Sequence, residues 1–82
     1  NLNTLGLITN ELLSLKKIIC RNKHKSQKLI NTLKKDLVKK YKVKIEYLEC
    51  RDIATLKKDI HNKSFKLFVA YYLDNVRLID NF

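Results

Sequence analysis

The apolar residues change their spacing close to residue 42, and that change constrains the fold more than any other feature of the chain. Before it, Leu5, Ile8, Leu12, Leu15 and Ile19 recur at steps of three and four, which places all five on one stripe of a helix over roughly residues 3–20. Gly6 costs that helix about 1 kcal/mol relative to Ala, near a fraying end where the penalty matters least. The period breaks at Arg21-Asn22-Lys23, where cations suit the negative end of the helix dipole. A second stripe of Ile30, Leu33, Leu37 and Tyr41, widened by Leu29 and Val38, predicts a helix over about residues 25–41 that begins at His24 or Ser26. Lys34, Lys35, Lys39 and Lys40 lie away from the centre of this stripe. Helices this short are marginal alone in water, so each stripe requires a partner surface.

That surface follows. Val43, Ile45 and Tyr47 alternate with Lys44 and Glu46, after which Leu48 and Cys50 carry the apolar phase to the opposite face. A phase switch within one strand points to a bulge, or to a strand buried on both sides near its end. Asp52 opens the stretch DIATLKKDI, read as an irregular turn with a short extended piece holding Leu56 inward, and the polar HNKS turn leads on to Phe65. From Phe65 to Leu73 both faces are apolar, as expected of a central strand. Asp74-Asn75 is a two-residue turn whose side chains tolerate positive φ, and Val76 to Ile79 return antiparallel. The expected fold is α+β in the order α-α-β-β-β: two amphipathic helices packed on one face of a small three-stranded antiparallel sheet.

A chain of 82 residues forms one domain, residues 1–82, and buries roughly 60–65% of its unfolded surface. That suffices for one thin core but not for a deep internal active site, so a complete enzyme is not expected. No apolar run approaches the ~20 residues needed to cross a bilayer. The start, NLNTLGLITNELL, has no initiator Met, basic segment or small-residue cleavage site and is read as cut from something longer.

The formal net charge of +10 comes from a lysine-rich composition, with eight Asn alongside. Lys, Asn and Ile are what AT-rich codons supply, so the charge does not by itself specify a partner. KLINTLKKDLVKKYKVK is the best nucleic-acid candidate, since a lysine-covered helix face can neutralise phosphates. It lacks arginines and a base-reading motif, and the aromatic residues sit mostly in the strands, so a solvated helix face is the preferred reading.

Cys20, His24, Cys50 and His61 supply the residue types of a zinc site, but each Cys is followed by a His at a spacing unlike paired zinc-finger units. The cysteines are instead expected to be free, small, buried hydrophobes, and the histidines to occupy solvated turns. Asn62-Lys63-Ser64 matches a glycosylation acceptor, a pattern too common to carry weight. With one glycine in all, the chain has no phosphate-cradling loop. Glu46 and Glu49 would point to opposite faces of a regular strand, a poor arrangement for shared acid–base work. No catalytic, cofactor-binding or metal-binding residue is assigned.

YLECRDIATL, Tyr47 to Leu56, followed by LFVAYYLDNVRLIDN, Leu67 to Asn81, resembles the end of the pantothenate synthetase family, the pantoate–β-alanine ligases. The two blocks at this separation cover about residues 43–82. The helices agree in order and length but match little residue by residue, and the family usually has Gly at the place of Asp74. The resemblance implies a cytoplasmic, homodimeric enzyme that joins pantoate to β-alanine with ATP and Mg²⁺, through a pantoyl adenylate, giving pantothenate, AMP and pyrophosphate. It further implies that these residues form a hinged C-terminal lid, with the His-containing ATP motif, the Ser-Ser-Arg-Asn motif and most substrate contacts in a larger N-terminal nucleotide-binding domain. Arg77 and Asp80 then read as structural, and the chain alone as inactive and binding no cofactor. The alternative expectation is a free-standing basic nucleic-acid-binding module.

Overall fold

The computed structural model describes residues 2–58, 60 and 64–82. Helix α1 spans Leu2–Arg21, a 3₁₀ turn Lys23–Lys25, and helix α2 Ser26–Tyr41; strands β1 (Lys44–Asp52), β2 (Phe65–Leu73) and β3 (Val76–Asn81) follow. The strands form one antiparallel sheet in the order β1-β2-β3. The fold is the expected α+β arrangement, with boundaries close to those read from the periodicity.

The core lies where the helix stripes meet one face of the sheet. Ile8, Leu12, Leu15 and Ile19 of α1 and Ile30 and Leu37 of α2 are buried in one cluster with Leu48 and Cys50 of β1 and Phe65, Leu67, Val69 and Tyr71 of β2. β2 is central, as its two apolar faces required. On its outer face Ala70 is fully buried between its register partners, Tyr47 of β1 and Ile79 of β3.

The bulge expected in β1 is present. Ile45 pairs with Tyr71 but Tyr47 pairs with Ala70, so one extra residue enters β1 at Glu46. The Asp74-Asn75 turn is also as expected, with φ of 51° and 66°. These are the two left-handed residues of a type I′ hairpin, whose twist matches that of the strands it joins. α2 ends on a third left-handed residue, Lys42 at φ 56°, whose N–H donates to the Val38 carbonyl at 3.0 Å. Of the two expected starts of α2, Ser26 is its first residue, whereas His24 lies exposed in the 3₁₀ turn. β3 extends beyond Ile79 to Asn81, and Leu67 and Phe82 exchange reciprocal backbone hydrogen bonds at 2.9 Å.

Two expectations require correction. Leu56 does not point inward: it is 56% exposed and left-handed, at φ 60°. The cause is the buried Asp52, whose carboxylate accepts the Ala54 N–H at 2.8 Å and whose carbonyl accepts the Leu56 N–H at 2.8 Å. These bonds coil the chain into a tight turn, and Ile60 takes the core position instead. Cys20 is exposed rather than buried, because it follows the fully buried Ile19 by one helical step, about 100° around the axis. Cys50 is buried as expected, and both thiols are free. His61 and the Asn62-Lys63 part of the acceptor pattern lie outside the described residues.

Val69 is fully buried beneath the helices, so Val69→Asp is expected to cost several kcal/mol, comparable with the stability of so small a domain. Circular dichroism should then show no cooperative melt near that of the parent; a melt within a few degrees would refute the helix-on-sheet packing. The hairpin should respond in the opposite sense. Asn75→Gly removes the side-chain cost of a positive φ and is expected to stabilise by about 0.5–1 kcal/mol, raising Tm by roughly 2–8 °C.

Candidate functional site

The outer face of the sheet, turned away from the helices, carries the densest polar network. Glu46 stands at the bulge, and its carboxylate pairs with the Arg77 guanidinium of β3, whose Nε also donates to Glu46 Oε1 at 3.3 Å. The Tyr72 hydroxyl of β2 donates to the same oxygen at 3.4 Å. One carboxylate thus ties all three strands together. Its hydrogen bond to Arg77 holds the Glu46 carboxyl below the usual range and raises the Arg77 guanidinium above its own.

A second cluster lies further along the same face. Glu49 Oε2 accepts from Arg51 at 2.7 Å (Nε) and 2.6 Å (Nη2), and Lys58 Nζ lies 3.9 Å from Oε1. Arg51 Nη1 also donates to the Leu56 carbonyl at 2.7 Å, which fastens the turn after β1 to the sheet. The bulge therefore overturns the expectation that Glu46 and Glu49 point to opposite faces. Glu49 pairs with Phe68 in register, and Phe68 shares a face with Tyr72, which Glu46 contacts. The carboxylates do not cooperate for all that, since each is paired with its own arginine.

On the helix side, Glu11 accepts from the Tyr41 hydroxyl and from Lys40 Nζ at 3.2 Å, joining α1 to α2. That hydrogen bond raises the Tyr41 phenol above its ordinary value. Burial pushes the Cys50 thiol up to about 11, so at neutral pH it is a protonated, unreactive core group. Among the described residues no three His, Cys, Asp or Glu side chains converge as a metal site would require. Cys20, His24 and Cys50 form no such group, and His61 lies outside the description.

Four further lysines lie along one edge. Lys34, Lys35 and Lys39 of α2 and Lys44 of β1 rim a groove floored by Val38, Val43 and Ile45. The sequence showed the lysines to lie off the apolar stripe but not that β1 would complete a groove with them. The Glu46–Arg77 tie was likewise missed; its only signal was the phase switch that announces the bulge.

Taken together, the chemistry held in place is that of a charged, cross-braced scaffold, with arginine–carboxylate pairs fixing strands and turns. The blocks that carry the family resemblance are the elements just described: YLECRDIATL forms the end of β1 and the Asp52 turn, and LFVAYYLDNVRLIDN forms the β2–β3 hairpin. No helix among the described residues is long and apolar enough to cross a membrane. No curated protein and no solved structure gave a significant match. Residues 5–82 match the family model described as pantoate-beta-alanine ligase. With nearly the whole chain matched and its motifs placed on the expected elements, the chain belongs to the pantoate–β-alanine ligase family.

Proposed function

We propose that this domain serves as the C-terminal lid of a pantothenate synthetase, the ligase that condenses pantoate with β-alanine at the expense of ATP to give pantothenate, AMP and pyrophosphate. The observation that carries the reading is the family match over residues 5–82. The geometry is consistent with it, because the acidic side chains that pair here brace strands, helices and turns. The Mg²⁺ that the family implies does not fit the described residues, where no ligand group converges. In this reading a separate N-terminal nucleotide-binding domain holds ATP, metal and substrates. Neither the fold nor the family match supports a free-standing nucleic-acid module.

A lid of this kind acts by closing. It excludes water from a hydrolysable acyl adenylate and completes the electrostatic surroundings of the phosphates without supplying a nucleophile. A lysine-rich surface suits that task, since its field reaches over a Debye length of about 8 Å at physiological salt.

Removing this domain from the full-length ligase, with the nucleotide domain still folded, is expected to reduce turnover steeply and to raise the AMP released per pantothenate formed. Unchanged turnover with an unchanged ratio would reject the lid. The 82-residue chain by itself should form no pantothenate from ATP, pantoate and β-alanine above a protein-free blank.

A further inference from the structure

The outer face of α1, turned away from the sheet, is unlike the rest of the helix surface. Residues 1–15 contain no lysine or arginine, the longest such stretch in a chain of net charge +10. Their one acid, Glu11, is matched by Lys40. Leu7 and Leu13 stand 52% and 43% exposed on this face, large apolar side chains that the core does not use. Gly6, Asn10 and Ser14, all exposed, form one row at steps of four between them.

Gly6 marks the face as a contact. It has no positive φ, and a β-carbon at this position would meet no atom within 4 Å, so neither backbone conformation nor packing inside the domain requires glycine there. Glycine is nevertheless costly in a helix. A missing side chain in an exposed helical row leaves a hollow into which a side chain of a second helix can pack.

Charge and shape identify that second helix. A net charge of this size holds copies of the chain apart, and the outer side of α2, with Lys28, Lys35 and Lys39 exposed, adds to the repulsion. The face of α1 is where another copy can approach without meeting cations, and what it presents is apolar. Gly6 and Leu13 lie seven residues, or two turns, apart. Two α1 helices crossing antiparallel at Asn10 therefore set Leu13 of each copy against Gly6 and Leu7 of the other, as a two-fold contact demands. The two Asn10 amides meet at the crossing, where each can donate to and accept from its mate, a pairing that fixes register. Packing on rows at steps of four crosses helices at about 50°, which carries the α2 lysines of the two copies apart. Lys17 and Arg21 then lie at the ends of the contact.

We infer that the outer face of α1 is a self-association surface, through which two copies of this domain pair about a two-fold axis at Asn10. The contact is made by this domain alone, and it neither follows from the lid reading nor rests on it.

The test is sedimentation of the chain under reducing conditions over a range of protein and salt concentrations. A dimer with a dissociation constant of roughly 100 µM is expected at about 0.3 M salt, and one about tenfold weaker near 0.01 M, where the Debye length grows to about 30 Å and the two positive copies repel. Leu13→Lys places a cation at an exposed site and should weaken the dimer by about tenfold or more. Gly6→Leu separates association from folding: it should raise the thermal stability of the monomer, as a good helix former in place of glycine does, while weakening the dimer by about tenfold. On a Cys20→Ser background, with Cys50 buried, an oxidised Asn10→Cys variant should cross-link to its own copy and a Lys35→Cys variant should not. A monomer throughout, a dimer that loosens as salt rises, or a dimer left intact by Leu13→Lys and Gly6→Leu would overturn the assignment, as would equal cross-linking of the two cysteine variants.

Discussion

The structure depends on one contact: the inner face of β2 against the stripes of the two helices. Leu67 and Val69 are fully buried there, as are Ile8, Ile19 and Leu37 of the helices above them. Neither partner is stable by itself, because helices of this length need tertiary support and a small sheet needs a covered face. Burying those side chains supplies the main favourable term, at about 25 cal/mol per Å² of apolar surface. The charged network is a secondary layer. The Glu46–Arg77 and Glu49–Arg51 pairs are partly exposed, so their contribution is to fix strand positions more than to stabilise the fold.

Much of this was legible in the sequence because the determining patterns are local. The three-and-four spacing of Leu5 to Ile19 marks α1, the double apolar face of Phe65 to Leu73 marks a central strand, and the phase switch after Tyr47 marks the bulge. What escaped was set by interactions without periodicity. Leu56 has the composition of a core residue, but the hydrogen bonds of Asp52 decide its direction. Cys20 is apolar in kind, yet its position one step past Ile19 places it outside the stripe. Glu46 was assigned to a face by counting in twos, which fails at the very residue a bulge inserts.

The candidate site was less legible than the fold for a related reason. A lysine off the apolar stripe reads the same whether it faces open solvent or another element. Only the seating of β1 beside α2 turns Lys34, Lys35, Lys39 and Lys44 into one rim. The resemblance supplied the family, but its motifs lie in β1, the Asp52 turn and the β2–β3 hairpin and carry no information about this rim.

The Asp52 turn has a consequence for how the chain assembles. α1 with α2, and β2 with β3, are neighbours in sequence and form through short closures, whereas β1 and β2 are joined by the longer segment from Ile53 to Ser64. Closing such a segment costs chain entropy before any ladder bond is gained. The bonds from Asp52 to Ala54, Leu56 and Lys57, together with the Ile53 N–H to the Ser64 carbonyl at 3.0 Å, gather its two ends locally. The turn thereby leaves less chain to be closed between the two halves of the sheet, and the buried Asp52 carboxylate contributes one side-chain bond that holds it.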